Sequence, residues 1–200
     1  MWDNISIERC QAFINCQLGL NDRGRPLEPV IRPTVTISRM AGSGGHTVAA
    51  KLAEFLQARA PVEWQWTVFD RNLMEKVLED HHLNKRIAEF LPENHRPVVT
   101  DIVEELLGLH PSSWTLVQQT TETILHLAKM GNVILVGRGA NVITQKLENA
   151  FHVRLVGSLE KRIPGMQQAY ALDAHDARKL LKQEDKGRRR YVKEHFHEDI

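Results

Sequence analysis

The sequence predicts a three-layer α/β domain: a parallel sheet covered by helices on both faces. Three observations predict it. Four short runs, Thr34–Ser38, Trp66–Phe69, Val133–Val136 and His152–Val156, alternate with long helical patterns. These runs lack the polar alternation of a half-solvated sheet, so both faces are expected to be covered. Glycine-rich turns follow the first and third runs directly, at the edge where open α/β sheets hold their ligands.

Along the chain, apolar positions at 2, 5, 7, 10, 13, 14 and 18 suit an N-terminal helix, and the turn-rich stretch from Asn21 to Pro33 separates it from the body. The expected division is therefore an extension over 1–33 and a domain over 34–200. Segments 71–91 and 98–129 read as helix, broken by Pro92 and Pro97, and form a candidate flap between the second and third strands. After residue 157 the helical patterns are 159–169, 174–184 and 187–195.

Two hundred residues, 42% of them hydrophobic, suffice for one core with a small mobile subdomain. A net charge of +1 gives no global attraction to nucleic acid or membranes. No apolar run approaches the roughly 20 residues of a membrane span. Met1–Leu20 lacks a basic start, so it does not read as a secretory signal. Cys10 and Cys16 are expected to be reduced thiols rather than a disulfide, and the expected location is the cytoplasm. The ten histidines show no ligand spacing, so no metal site of protein side chains is expected.

The first turn carries the most information. Val35-Thr36-Ile37-Ser38-Arg39 feeds Met40-Ala41-Gly42-Ser43-Gly44-Gly45-His46-Thr47, and a helical pattern with apolar residues at 49, 52, 53 and 56 follows. Strand, glycine turn and helix N-terminus together gather backbone N–H groups and positive dipole at one point, which suits phosphate. The motif GxxxxGK[ST] also calls for a lysine. One register puts His46 in that place and the other puts Gly45 there.

The other strand ends add cations: Asp70-Arg71 after the second run, Gly137-Arg138-Gly139 after the third, and Glu160-Lys161-Arg162 after the fourth. Guanidinium groups give permanently charged, bidentate contacts to phosphate. A basic stripe, Arg178, Lys182, Lys186, Arg189, Arg190 and Lys193, runs at helical spacing among Glu184, Asp185 and Glu194. It suits a phosphate-covering lid or a solvated face. Nearby acids weaken a nucleic-acid reading.

Thr36-Ile37-Ser38-Arg39, Gly42-Ser43-Gly44-Gly45, Phe69-Asp70-Arg71, Val136-Gly137-Arg138-Gly139-Ala140, Glu160-Lys161-Arg162 and Asp185-Lys186 with Arg188 and Tyr191 resemble the cytidylate kinase-like family. That family is a branch of the nucleoside-monophosphate kinases with a P-loop fold, and the resemblance spans roughly residues 34–197. It implies a core for ATP and Mg²⁺, a helical acceptor flap over about 71–130 and a short lid over about 160–195. By position, Gly42, Ser43, Gly44, Gly45, His46 and Thr47 would cradle donor phosphates. Asp70 and Arg71 would open the acceptor flap, and Arg138 would contact the acceptor. Arg162, Arg188 and Arg189 would serve the lid, and Arg39 would partly replace the missing lysine.

Three departures stand out. The loop lysine is absent. Gly139 stands where cytidylate kinases carry an aspartate that could help hold Mg²⁺. The chain ends at Ile200, where these kinases continue into a fifth strand and a helix, so either the sequence is truncated or the protein lacks that sheet edge. The resemblance implies phosphoryl transfer from ATP to a nucleoside monophosphate, with CMP or dCMP the first candidates. The departures keep open a nucleotide-binding regulator or scaffold with little or no kinase activity.

Overall fold

The computed structural model describes Phe13 and residues 32–60, 65–71 and 115–199. Four strands form one parallel sheet: β1 (Thr34–Arg39), β2 (Thr67–Phe69), β3 (Val133–Val136) and β4 (Ala150–Leu155), in the order β2-β3-β1-β4. Each overlaps its predicted run. β4 starts two residues earlier than expected and stops before Val156. β1 is central, pairing Ile37 with Val136 on one side and Val153 on the other. All strands point the same way, so the ends of β1, β3 and β4 open onto one edge.

Helix α1 (Gly45–Gln57) places Ala49 against Val35, Ile37, Val68, Ile134 and Val136. Helix α2 (Thr115–Met130) buries Ile124, Leu125, Leu127 and Ala128. Each buried leucine or isoleucine contributes about 1.5–3 kcal/mol by leaving water. A short helix, α3 (Ala140–Ile143), follows β3, and α4 (Leu159–Tyr170) follows β4. Thr34 Oγ1 donates to the Ala128 carbonyl at 2.8 Å, tying α2 to the start of β1.

The last helix differs from the expected pair. Residues 174–196 form one 23-residue helix, α5 (Ala174–Phe196), capped by Asp173, which accepts from the Asp176 N–H. Gly187 lies inside it, and a Cβ at that position would meet nothing within 4 Å. A helical glycine costs about 1 kcal/mol relative to alanine. Burial of Leu181, Val192 and Phe196 on either side offsets that cost. α4 and α5 also pack on the loop after β1, where Ala41, Ile163, Met166, Ala177 and Leu181 form a second apolar cluster.

Within the extension, Phe13 is helical and fully buried, edge-on to Phe69 of β2 at 5.8 Å. Cys10, Cys16 and most of the candidate flap, residues 72–114, lie outside the described residues. Among the described residues no helix is long and apolar enough to cross a membrane.

Candidate functional site: an arginine-lined cleft at the strand ends

The loop after β1 is held at its base. The Met40 N–H donates to the Leu155 carbonyl at 3.0 Å, fixing the chain against β4. Asp185 Oδ1 accepts from the Ala41 N–H at 2.7 Å, while Arg162 donates to the Ala41 carbonyl at 2.8 Å. The Ser43 hydroxyl turns back to the Met40 carbonyl at 2.8 Å. Gly42 and Gly44 both take the left-handed conformation, with φ of 68° and 76°. Gly44 is the N-cap of α1 and supplies no side-chain cap, so the first-turn N–H groups of Gly45, His46 and Thr47 open onto the loop. Donor groups and helix dipole thus converge at that end.

Arg39, the last residue of β1, lies across two glycines. A Cβ on Gly45 would meet its Cγ at 3.0 Å, and one on Gly137 would fall on its guanidinium. Glycine at both positions leaves the slot that this side chain fills. Burial and the neighbouring charges of Arg188 and Arg138 push the Arg39 pKa down to about 10, with Asp70 and Glu184 opposing. The group stays charged at neutral pH.

His46, in one register the residue at the lysine place, has its Nδ1 3.4 Å from Asp70 Oδ2. Burial is the largest influence on it and lowers its pKa; Asp70 opposes, and Arg39 and Arg188 add to the lowering. The ring is therefore mainly neutral at pH 7.

After β3 the chain takes three left-handed residues in succession: Gly137 (φ 83°), Arg138 (φ 55°) and Gly139 (φ 71°). Arginine rarely adopts this conformation, so flanking contacts hold it there. The Arg138 guanidinium lies 5.8 Å from the Tyr191 ring centroid. A Cβ on Gly139 would run into the Phe196 ring. Phe196 thus packs where an acidic side chain at 139 would begin.

Arg39 and the turn after β3 line an open cleft of about 550 Å³, which residues 40–47 do not line. From the sheet side it is lined by Arg39, Arg138 and Arg154, and Arg71 joins them. From α5 come Lys186, Arg188 and Arg190, with Glu184 the one acid among the described lining residues. A narrower space beside it, about 90 Å³, is walled by Arg39, Arg154, Arg188 and Arg189 with Met40 and Asp185. Arg188 also donates to the Arg39 carbonyl at 3.3 Å and lies 3.5 Å from Glu184.

The structure therefore gathers Arg39, Arg71, Arg138 and Arg188 around one cleft, with Arg189 on the narrower space beside it and Asp70 beside His46. Arg162 is 5% exposed and faces inward, with Nη1 2.7 Å from Asp185 Oδ2 and bonded to the loop backbone. It contacts the loop rather than the cleft. Arg154 is a cleft residue that the sequence motifs do not single out. Its only signal is a charged residue inside an apolar strand, in register with Ser38 one place before the strand end. Among the described residues no three His, Cys, Asp or Glu side chains cluster as a metal cage.

A four-stranded parallel sheet flanked by helices, with an arginine-lined cleft at its strand ends, defines an α/β fold of the P-loop kinase-like kind. The model of the cytidylate kinase-like family matches residues 34–200, and the chain belongs to that family. Membership indicates a nucleotide kinase-like protein. A crystal structure of an uncharacterized protein from Eubacterium ventriosum ATCC 27560 is similar in fold: TM-score 0.60, 19% identity, covering 84% of this chain and 82% of that one. No curated protein matches the sequence.

Proposed function

We propose that the protein transfers a phosphoryl group from ATP, with Mg²⁺, to a nucleoside monophosphate, CMP or dCMP first, as a cytoplasmic enzyme. The observation that carries this reading is the cleft of about 550 Å³, whose described lining holds six arginines and a lysine against one acid, and whose Arg39 also packs against Gly45 at the uncapped N-terminus of α1. Phosphoryl transfer needs positioning and charge neutralisation more than a protein nucleophile, and this cleft supplies both.

In this reading the N–H groups of Gly44, Gly45, His46 and Thr47 hold the donor phosphates. Gly42 and Ser43 shape the loop: Gly42 packs under Leu181 and Met166, and the Ser43 hydroxyl is turned back to Met40. Arg138 and Arg71, with Asp70, receive the acceptor. Arg39, Arg188 and Arg189 neutralise charge between the two. Magnesium bound by one or two carboxylates plus substrate phosphates is a common arrangement. Asp70, 3.4 Å from His46 in the first turn of α1, is the carboxylate that would hold such an ion together with the substrate phosphates, and the ion would orient and neutralise the phosphate oxygens. Arg162 supports the loop from behind.

One observation favours a second reading, a nucleotide-binding regulator with little or no turnover. Phe196 packs against Gly139, so the acid of cytidylate kinases is excluded there by packing. ADP release from ATP and Mg²⁺, measured against CMP, dCMP, UMP, AMP and GMP, separates the two. Turnover with one monophosphate is expected. ATP binding with no turnover across the panel would transfer the assignment to the regulator.

A further inference from the structure

We infer that Asp185 and Arg162 are positioning residues for the donor loop, coupling its shape to the seating of α5; this rests on reading residues 40–47 as the donor loop. Both backbone polar groups of Ala41 are captured by side chains from outside the loop. Asp185 Oδ1 takes its N–H at 2.7 Å, and Arg162 Nη1 donates to its carbonyl at 2.8 Å. The same Nη1 meets Asp185 Oδ2 at 2.7 Å, closing a ring of α4, α5 and loop. Ala41 is 2% exposed, so neither of its groups has water as an alternative partner.

A buried ion pair is by itself poor evidence of a stabilising role, since packed apolar side chains often serve as well. Apolar side chains could not satisfy the Ala41 backbone, however. The next residue is moulded by the same helices: a Cβ on Gly42 would meet Leu181 at 3.0 Å, and Met166 and the Arg162 carbonyl at 3.2 Å. The neighbours of Asp185 on α5, Glu184, Lys186, Gly187 and Arg188, line the main cavity. One helical turn therefore carries both the loop's anchor and a wall of the acceptor cleft. Withdrawing this turn of α5 withdraws the anchor.

The test compares wild type, Asp185→Asn, Asp185→Ala, and Asp185→Ala combined with Arg162→Met, which leaves no orphaned buried charge if the single alanine variant fails to fold. ATP and CMP affinities are measured separately by calorimetry, and backbone hydrogen exchange is followed over residues 40–44. In the alanine variants ATP affinity should fall about 10–100-fold, the range expected for a lost hydrogen bond to a charged group. CMP affinity should change less than about 3-fold. Exchange at 40–44 should accelerate while α2 stays protected. Asparagine retains an acceptor for the Ala41 N–H and should restore part of the ATP affinity.

Unchanged ATP affinity, or ATP and CMP affinities falling together, would overturn the inference. If wild type binds no ATP, the donor-loop reading fails separately. Exchange at 40–44 then decides the anchor alone: acceleration supports it and unchanged protection refutes it.

Discussion

Gly137→Ala isolates the slot that Arg39 occupies. Gly137 has φ 83°, and an L residue in the left-handed region costs roughly 1–2 kcal/mol before any contact is counted. The new methyl would also fall on the Arg39 guanidinium, so that side chain must leave the cleft. In a chain of this size each kcal/mol moves the melting temperature about 2–4 °C, so a fall of about 2–8 °C is expected from strain alone. Gly187→Ala is the matched control, because a Cβ there meets nothing within 4 Å in the middle of α5. It should raise the melting temperature by about 2–4 °C through recovered helix propensity of about 1 kcal/mol. Thermal melts by circular dichroism, followed by ADP-release assays, check both. If Gly137→Ala melts at or above wild type, the strain argument is wrong. If it melts lower yet turns over normally, Arg39 has no part in the chemistry.

Other substitutions bear on the remaining parts of the cleft. Arg138→Gly relieves a left-handed arginine while removing a cation, so thermal stability should hold while acceptor phosphorylation falls at least about 10–100-fold; unimpaired turnover would remove Arg138 from the acceptor site. Gly44→Val sets a β-branched residue at φ 76° in the donor loop, and should abolish ATP binding by calorimetry. Gly139→Asp should lower the melting temperature because its Cβ meets the Phe196 ring, and Phe196→Ala in the same chain should remove that particular clash, visible as a less than additive loss.

His46, His152 and His195 all have pKa values lowered chiefly by burial, so the folded protein binds fewer protons than the unfolded chain just below pH 6.5. Their contribution is full above that pH and is lost as pH falls through the window, so melting temperatures at pH 7.5 should exceed those at 5.5. ATP phosphates beside His46 should raise its pKa and draw in a proton, seen as buffer-dependent binding heat near pH 6 that disappears in His46→Asn.

The strands are legible in the sequence because each is a short, largely apolar run bounded by turns; β2, β3 and most of β1 are buried as expected, whereas the edge strand β4 leaves Phe151 and His152 exposed. The loop is legible for a local reason: Gly42, Gly44 and Gly45 between a strand and a helix have few other uses. Arg39 and Arg138 can be nominated because each adjoins a strand end. Arg162 cannot be assigned correctly from its sequence neighbours, since its inward direction depends on Asp185, 23 residues away, and on the Ala41 backbone. Arg154 is hidden by lying inside a strand, where only the register with Ser38 brings it to the cleft edge.

Sequence by itself determined the four strands, the helix after β1, their parallel alternation and the residue types at each strand end, because these follow from periodicity and backbone freedom over a few residues. Tertiary structure alone decided the rest. It joined 174–196 into one helix across Gly187, set Phe196 against Gly139, and turned Asp185 and Arg162 onto the loop. Those outcomes depend on contacts between residues far apart in the chain, where burial and backbone hydrogen bonding outweigh the propensity of any single residue.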